Sequence, residues 1–180
     1  SVGAVTVMSI HKSKGLEFPV VFLCGLSRKF NREDAYEQVL CDRDLGLGLY
    51  CVDVDNRVRY PSVAKRAIAA KILAESLSEE LRVLYVAMTR PKDRLIMTYA
   101  ARNLPDILSA MARRMDLSEP LLMTSDVNCP GKWILLTALQ RSEAGELFQL
   151  GAYPQKREVS ENPWMIRVVK NADGATACAE

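Results

Sequence analysis

His11-Lys12-Ser13-Lys14-Gly15-Leu16-Glu17-Phe18 gathers the single histidine of a 180-residue chain, two lysines, a glycine and a glutamate into one short segment. Apolar runs flank it, residues 5–10 before and 19–26 after. Loops held between buried strands are where α/β proteins carry phosphate and nucleic-acid chemistry. Residues 5–10 and 20–26 are near-continuous in apolar side chains, rich in Val, Ile and Phe, and are expected to be strands buried on both faces, as in a parallel sheet.

Moving outward, residues 28–37 are charged and read as exposed. Residues 45–52 and 57–60, split by Asp53-Val54-Asp55-Asn56, carry a hairpin signal. Residues 63–88 contain no Gly or Pro and are rich in Ala, Leu, Glu, Lys and Arg, which predicts one long helix or two abutting ones. Ser76 or Ser78 is a candidate cap for a second helix, and Ser76-x-x-Glu79 has capping-box form. Leu77, Leu81, Leu84, Tyr85 and Met88 recur at helical spacing and predict its core face. Pro91 should end the helix and leave Arg90 at its terminus. Residues 94–100 then read as a buried strand. Beyond about residue 102 the pattern weakens: 104–115 and 133–141 read as helical, 164–170 as a strand, and 171–180 as frayed. Pro120, Pro130-Gly131, Pro154 and Pro163 punctuate this part.

Composition narrows the chemistry. Lys and Arg number 24 against 22 Asp and Glu, so any nucleic-acid contact must come from local clusters. The basic group Arg28, Lys29 and Arg32 is one candidate, although mixed charge there more often marks a solvated loop. Five scattered cysteines, no CxxC pair and one histidine argue against zinc or iron–sulfur sites, and no metal site is expected. The cysteine usage fits a reducing, cytoplasmic compartment. No apolar run approaches the ~20 residues of a membrane span, and no signal peptide is evident. The chain begins at Ser1, already near an apolar run, which suggests a fragment of a longer protein. It has no GxxxxGK[ST] loop, HExxH or GxSxG, and so lacks the parts of a complete active site.

Two segments together carry a family resemblance. Val7-Met8-Ser9-Ile10-His11-Lys12-Ser13-Lys14-Gly15-Leu16-Glu17-Phe18 resembles motif V of the superfamily 1 DNA helicases of the UvrD and RecB type. Glu80-Leu81-Arg82-Val83-Leu84-Tyr85-Val86-Ala87-Met88-Thr89-Arg90 resembles their motif VI. Residues 20–26, Lys29-Phe30-Asn31, Asp44-Leu45-Gly46-Leu47-Gly48 and Tyr60-Pro61 are similar to the AddA family of helicase–nuclease subunits. The likeness covers roughly residues 5–101. It is fainter beyond, where only Trp133 and Asn162-Pro163-Trp164 resemble the region leading toward a nuclease domain.

The resemblance implies an α/β fold: a RecA-like, P-loop NTPase-type, partly parallel sheet flanked by helices, with a mixed C-terminal extension. Residues 1–101 would be the C-terminal part of the second motor domain, and 102–180 an extension toward an absent nuclease domain. It also implies roles. Arg90 matches the motif VI arginine that stabilises charge on the transferring phosphoryl group, a contribution of about 10³–10⁵ in rate. The ordinary alternative is a helix-terminal arginine favoured by the dipole. Glu17 matches the nucleotide-contacting glutamate of motif V, with a surface carboxylate as the alternative, and Gly15 matches the glycine that permits close backbone approach. His11, Ser9 and Lys14 match DNA-side positions, Ser9 standing where the family usually has threonine. The alternative for His11 is a strand-end imidazole bonded to nearby backbone, and for Lys14 a solvated ammonium. Tyr85 is expected to pack on the apolar face, and Glu80 and Arg82 to make ion pairs that position the helix.

The implied activity is ATP-dependent DNA translocation within a helicase–exonuclease of double-strand-break repair and recombination. ATP with Mg2+ is the implied cofactor of the full-length protein, with none expected on the fragment, which should be inactive alone. The implied partners are single-stranded DNA and duplex ends, an AddB-like partner subunit, and the N-terminal motor domain of the same protein, with no membrane. The alternative reading is a non-catalytic RecA-like module that binds DNA or another protein chain; a stand-alone nucleotide enzyme is disfavoured by the missing Walker loop.

Overall fold

The computed structural model describes residues 4–117, 127–151 and 162–169. The chain divides into two compact units, Ser1–Ala100 with Asn128–Pro130, and Ala101–Val127 with Gly131–Glu180. In chain order the first unit holds a 3-10 turn Ile10–Ser13, strand β1 (Phe18–Leu23), a 3-10 turn Glu33–Tyr36, strands β2 (Leu40–Asp42), β3 (Gly46–Gly48), β4 (Tyr50–Asp53) and β5 (Val58–Pro61), helix α1 (Val63–Met88) and strand β6 (Pro91–Met97).

β1 and β6 pair in parallel, and the hairpins and α1 form the long crossover that such pairing requires. The ladder opens with the Phe18 N–H donating to Arg90 O (3.0 Å) and closes with Thr98 N–H donating to Leu23 O (3.1 Å). Its register slips between Phe18, opposite Pro91, and Val20, opposite Arg94. Pro19 stands at the slip, where its missing N–H costs no rung. Leu23 is buried, whereas Val20, Phe22 and Ile96 share the opposite, exposed face.

The expected strand over residues 5–10 does not form. Residues 4–9 have no strand partner among the described residues, and Val5 and Val7 are more than nine-tenths exposed. An apolar run favours burial but does not supply a partner strand. The consequence is that the 11–17 loop stands at the amino end of β1, not at the carboxyl end of an earlier strand.

α1 is one 26-residue helix, about 39 Å long. Its cap is Ser62, whose Oγ accepts from the Lys65 N–H at 3.1 Å. No second helix starts within it: Ser78 lies mid-helix, its Oγ bonded back to Ala74 O at 3.0 Å. The core face also differs from the expected one. Leu84 is buried, but Leu81 and Tyr85 are 52% and 67% exposed, so the expected packing of Tyr85 is overturned. The buried positions are Lys65, Ile68, Leu84 and Ala87, because only the β2–β3 hairpin and the two 3-10 turns pack closely on this helix.

The buried lysine is satisfied. Lys65 Nζ donates to the carbonyls of Glu37 and Gln38, the latter at 3.0 Å, and lies 4.6 Å from the Tyr50 ring centre, where cation–π attraction adds to the hydrogen bonds. Nearer the surface, Lys71 pairs with Asp42 (2.7 Å) and Asp44 (3.0 Å), linking α1 to the β2–β3 turn. The Lys71 contact, then the Leu45 N–H, hold the Asp42 carboxyl below its ordinary value. The predicted hairpin is β4–β5, Tyr50 opposite Pro61, its turn fastened by Asp53 accepting from Asn56. Residues 46–48, expected to belong to it, pair with β2 instead.

The second unit holds helices α2 (Leu104–Leu117), α3 (Pro130–Leu139) and α4 (Gly145–Gln149). Its buried side chains include Leu108, Trp133, Leu139 and Leu147. Residues 164–169 do not form the expected strand; Lys170, residues 171–180, Pro120 and Pro154 lie outside the described residues. Carboxylates take the place of a partner strand: Glu143 accepts from Trp164 N–H (3.1 Å) and Glu146 from Val168 N–H (2.6 Å). Arg141 bonds Asn162 O at 2.6 Å and Glu143 at 3.1 Å, with its guanidinium 4.6 Å from the Trp164 ring centre.

These contacts make the second unit acid-sensitive. The Glu143 carboxyl is lowered from 4.5 to about 2, first by its own backbone N–H, then by the Trp164 N–H and the side chains of Arg141 and Ser142, against the opposing effect of burial. A depressed carboxyl contributes stability above its unfolded value and loses it as pH falls through the folded one. Near-ultraviolet circular dichroism of the tryptophans should therefore change between about pH 4.5 and 2, and Glu143→Gln should abolish most of that dependence.

Candidate functional site

The loop and the helix end that stand out in the sequence meet at the amino ends of the two parallel strands. In the loop, Ile10–Ser13 makes one 3-10 turn, fastened by Ser13 Oγ donating to Ile10 O at 2.7 Å. A β-turn follows: Lys14 has φ −58° and ψ 125°, Gly15 has φ +81°, and Leu16 N–H donates to Ser13 O at 3.0 Å. That combination is a type II turn, whose third position needs positive φ and so favours glycine. The turn sends Leu16 and Glu17 directly into β1.

On the other side, α1 ends at Met88 and the chain enters β6 at Pro91. The Arg90 side chain bends back and is held at three nitrogens. Nε donates to Val86 O (2.9 Å), Nη1 to Leu16 O (3.1 Å) and Nη2 to Thr89 Oγ1 (3.0 Å). Three of its five N–H donors are thus used, leaving one on each terminal nitrogen. The bond to Val86 is the ordinary helix-terminus contact foreseen from sequence; the bond to Leu16 crosses 74 residues and joins the two segments. A second link is Glu17 to Lys92, at 3.3 Å with both side chains more than half exposed. Sequence reading missed Lys92, which becomes legible only once the parallel register sets Phe18 against Pro91.

Simple strand–helix alternation would put Arg90 and the loop at opposite edges of the sheet, and the structure corrects this. Both precede a strand of the same parallel pair, so both lie at one edge. Ser9, His11, Lys12 and Lys14 are exposed along the loop, and Gly15 has open space beside its Cα. The Arg90 side chain bonds to Val86, Leu16 and Thr89, and not to Ser9, His11 or Lys14. Arg82 pairs with Glu79 at 2.8 Å, not with Glu80, on the exposed face of α1. Arg28 and Lys29 are exposed, and Arg32 lines an open groove with Phe30, Tyr36 and the acids Glu33 and Glu37, so positive charge is not concentrated there. Among the described residues no group of three or more His, Cys, Asp or Glu is placed to hold a metal ion, and no helix is long and apolar enough to cross a membrane.

A parallel pair whose amino edge carries this loop and this arginine has a counterpart among known families. Residues 1–102 match the UvrD-like helicase C-terminal domain, and the chain belongs to that family. Among individual proteins it is similar to several named as ATP-dependent helicase/nuclease subunits of the AddA type. That of Ruminiclostridium cellulolyticum is 57% identical over 100 residues, covering 56% of this chain and 8% of that protein. That of Thermoanaerobacter sp. strain X514 is 39% identical over 173 residues, covering 94% of this chain and 14% of that protein. That of Bacillus thuringiensis subsp. konkukian is 35% identical over 180 residues, covering 97% and 14%. The chain thus spans about one seventh or less of the length of these relatives.

Proposed function

We propose that this chain is part of the second RecA-like motor domain of an ATP-dependent DNA helicase–nuclease that processes ends in double-strand-break repair and recombination. The observation that carries the reading is the Arg90 guanidinium bonded to Leu16 O, which joins the motif V-like and motif VI-like segments into one edge. In this reading Arg90 reaches the γ-phosphate of ATP bound mainly by the preceding motor domain. Its two remaining N–H donors suit an oxyanion, and a guanidinium stays charged at any working pH. Glu17 accepts from the ribose and Gly15 lets the backbone approach the nucleotide. When bound, Mg2+ neutralises phosphate charge. His11, Ser9 and Lys14, exposed along the loop, contact the DNA strand. The partners are single-stranded DNA and duplex ends, the N-terminal motor domain and an AddB-like partner subunit, in the cytoplasm, and the fragment alone does not hydrolyse ATP.

The test is replacement of Arg90 in the full-length polypeptide, read as DNA-stimulated ATP hydrolysis. Loss of turnover supports the motor reading. Full turnover would favour the non-catalytic module.

A further inference from the structure

The Thr89 hydroxyl sits between the helix end and the arginine. Its Oγ1 is 3.1 Å from Tyr85 O and 3.0 Å from Val86 O, and it receives Arg90 Nη2 at 3.0 Å. A hydroxyl has one proton and two acceptor lone pairs. Carbonyls only accept, so that proton points to the last turn of α1, and a lone pair is left for the guanidinium. The direction of the Thr89–Arg90 bond is therefore fixed by the helix. The same turn holds Arg90 Nε through Val86 O.

We propose that Thr89 is a positioning residue for Arg90: its hydroxyl, held by the end of α1, fixes the plane of the guanidinium so that the two unused N–H donors face the phosphoryl group. This rests on the motor reading given above. Nε and Nη2 are anchored on α1, whereas Nη1 is anchored on the loop through Leu16. Removing the hydroxyl leaves the charge in place but frees one end of the fork. Rate then falls through misorientation, while the arginine still attracts ATP.

The experiment compares Thr89→Val and Thr89→Ser in the full-length polypeptide, with Arg90→Ala alongside. Valine matches threonine in shape but cannot accept a hydrogen bond; serine keeps the hydroxyl and drops only the methyl. Expected is a kcat lower by about tenfold or more for Thr89→Val, with the KM for ATP within about twofold, and near-normal kcat for Thr89→Ser. An unchanged kcat in Thr89→Val overturns the proposal. So does a Thr89→Ser variant with strongly reduced kcat, a result available even if the valine protein fails to fold. A normal rate in Arg90→Ala would instead remove the motor reading itself, an outcome distinct from a dead Arg90→Ala beside a normal Thr89→Val.

Discussion

Replacing Arg90 by alanine in the full-length polypeptide is expected to lower the kcat for DNA-stimulated ATP hydrolysis by about a thousandfold or more. The fold should survive. The guanidinium's partners are two backbone carbonyls and the Thr89 hydroxyl, and its terminal nitrogens are exposed, so water replaces what the side chain gave up. The phosphoryl group has no such substitute, because a facing arginine supplies charge and two directed donors where negative charge is spread. Arg90→Lys should rescue little. An ammonium keeps the charge but cannot hold Val86 O, Leu16 O and Thr89 Oγ1 while presenting a fork. Steady-state phosphate release with saturating single-stranded DNA checks both variants, and a rate within about tenfold of wild type would remove Arg90 from the mechanism.

Gly48→Ala is expected to destabilise the first unit by about 3 kcal/mol or more, as overpacking against backbone does at the upper end of its range. A Cβ at Gly48 would lie 2.7 Å from Lys65 Cα and 3.2 Å from Ile68 Cδ1. The first of these atoms is helix backbone and cannot rotate away. Shifting α1 would also disturb Lys65, whose buried ammonium is held by Glu37 O and Gln38 O, and Ile68, which is fully buried. Gly46, two residues earlier, is a useful contrast. It has φ +76° with open space around it, so alanine there meets only backbone strain of about 1–2 kcal/mol. Urea unfolding of both variants should rank Gly48→Ala well below Gly46→Ala; the reverse order would contradict the described packing of β3 on α1.

Much of this fold was legible because local rules and tertiary packing agree. The run 63–88 has no breaker, Ser62 caps it and Pro91 ends it, and the helix spans Val63–Met88. Asp53 and Asn56 marked a hairpin, and their side chains fasten its turn. Where the two disagree, the sequence misled. Residues 5–10 are as apolar as β1 yet pair with nothing among the described residues. Leu81 and Tyr85 hold helical spacing but face away from the elements that cover α1. Gly15 was readable as a glycine needed for its φ; that Arg90 turns back onto Leu16 was not, because only the parallel pairing of β1 and β6 brings residues 74 apart to one edge. The buried Lys65 was invisible for a similar reason: its partners are backbone carbonyls of a loop, which leave no mark in side-chain pattern.

The central claim is that Arg90 acts on the transition state of phosphoryl transfer. It is tested most directly by nucleotide affinity in the wild-type and Arg90→Ala full-length proteins. ADP alone should bind both within about twofold, whereas ADP with aluminium fluoride, which mimics the transferring phosphoryl group, should bind Arg90→Ala at least about a hundredfold more weakly. Equal affinity of the two proteins for the fluoroaluminate complex would contradict the account.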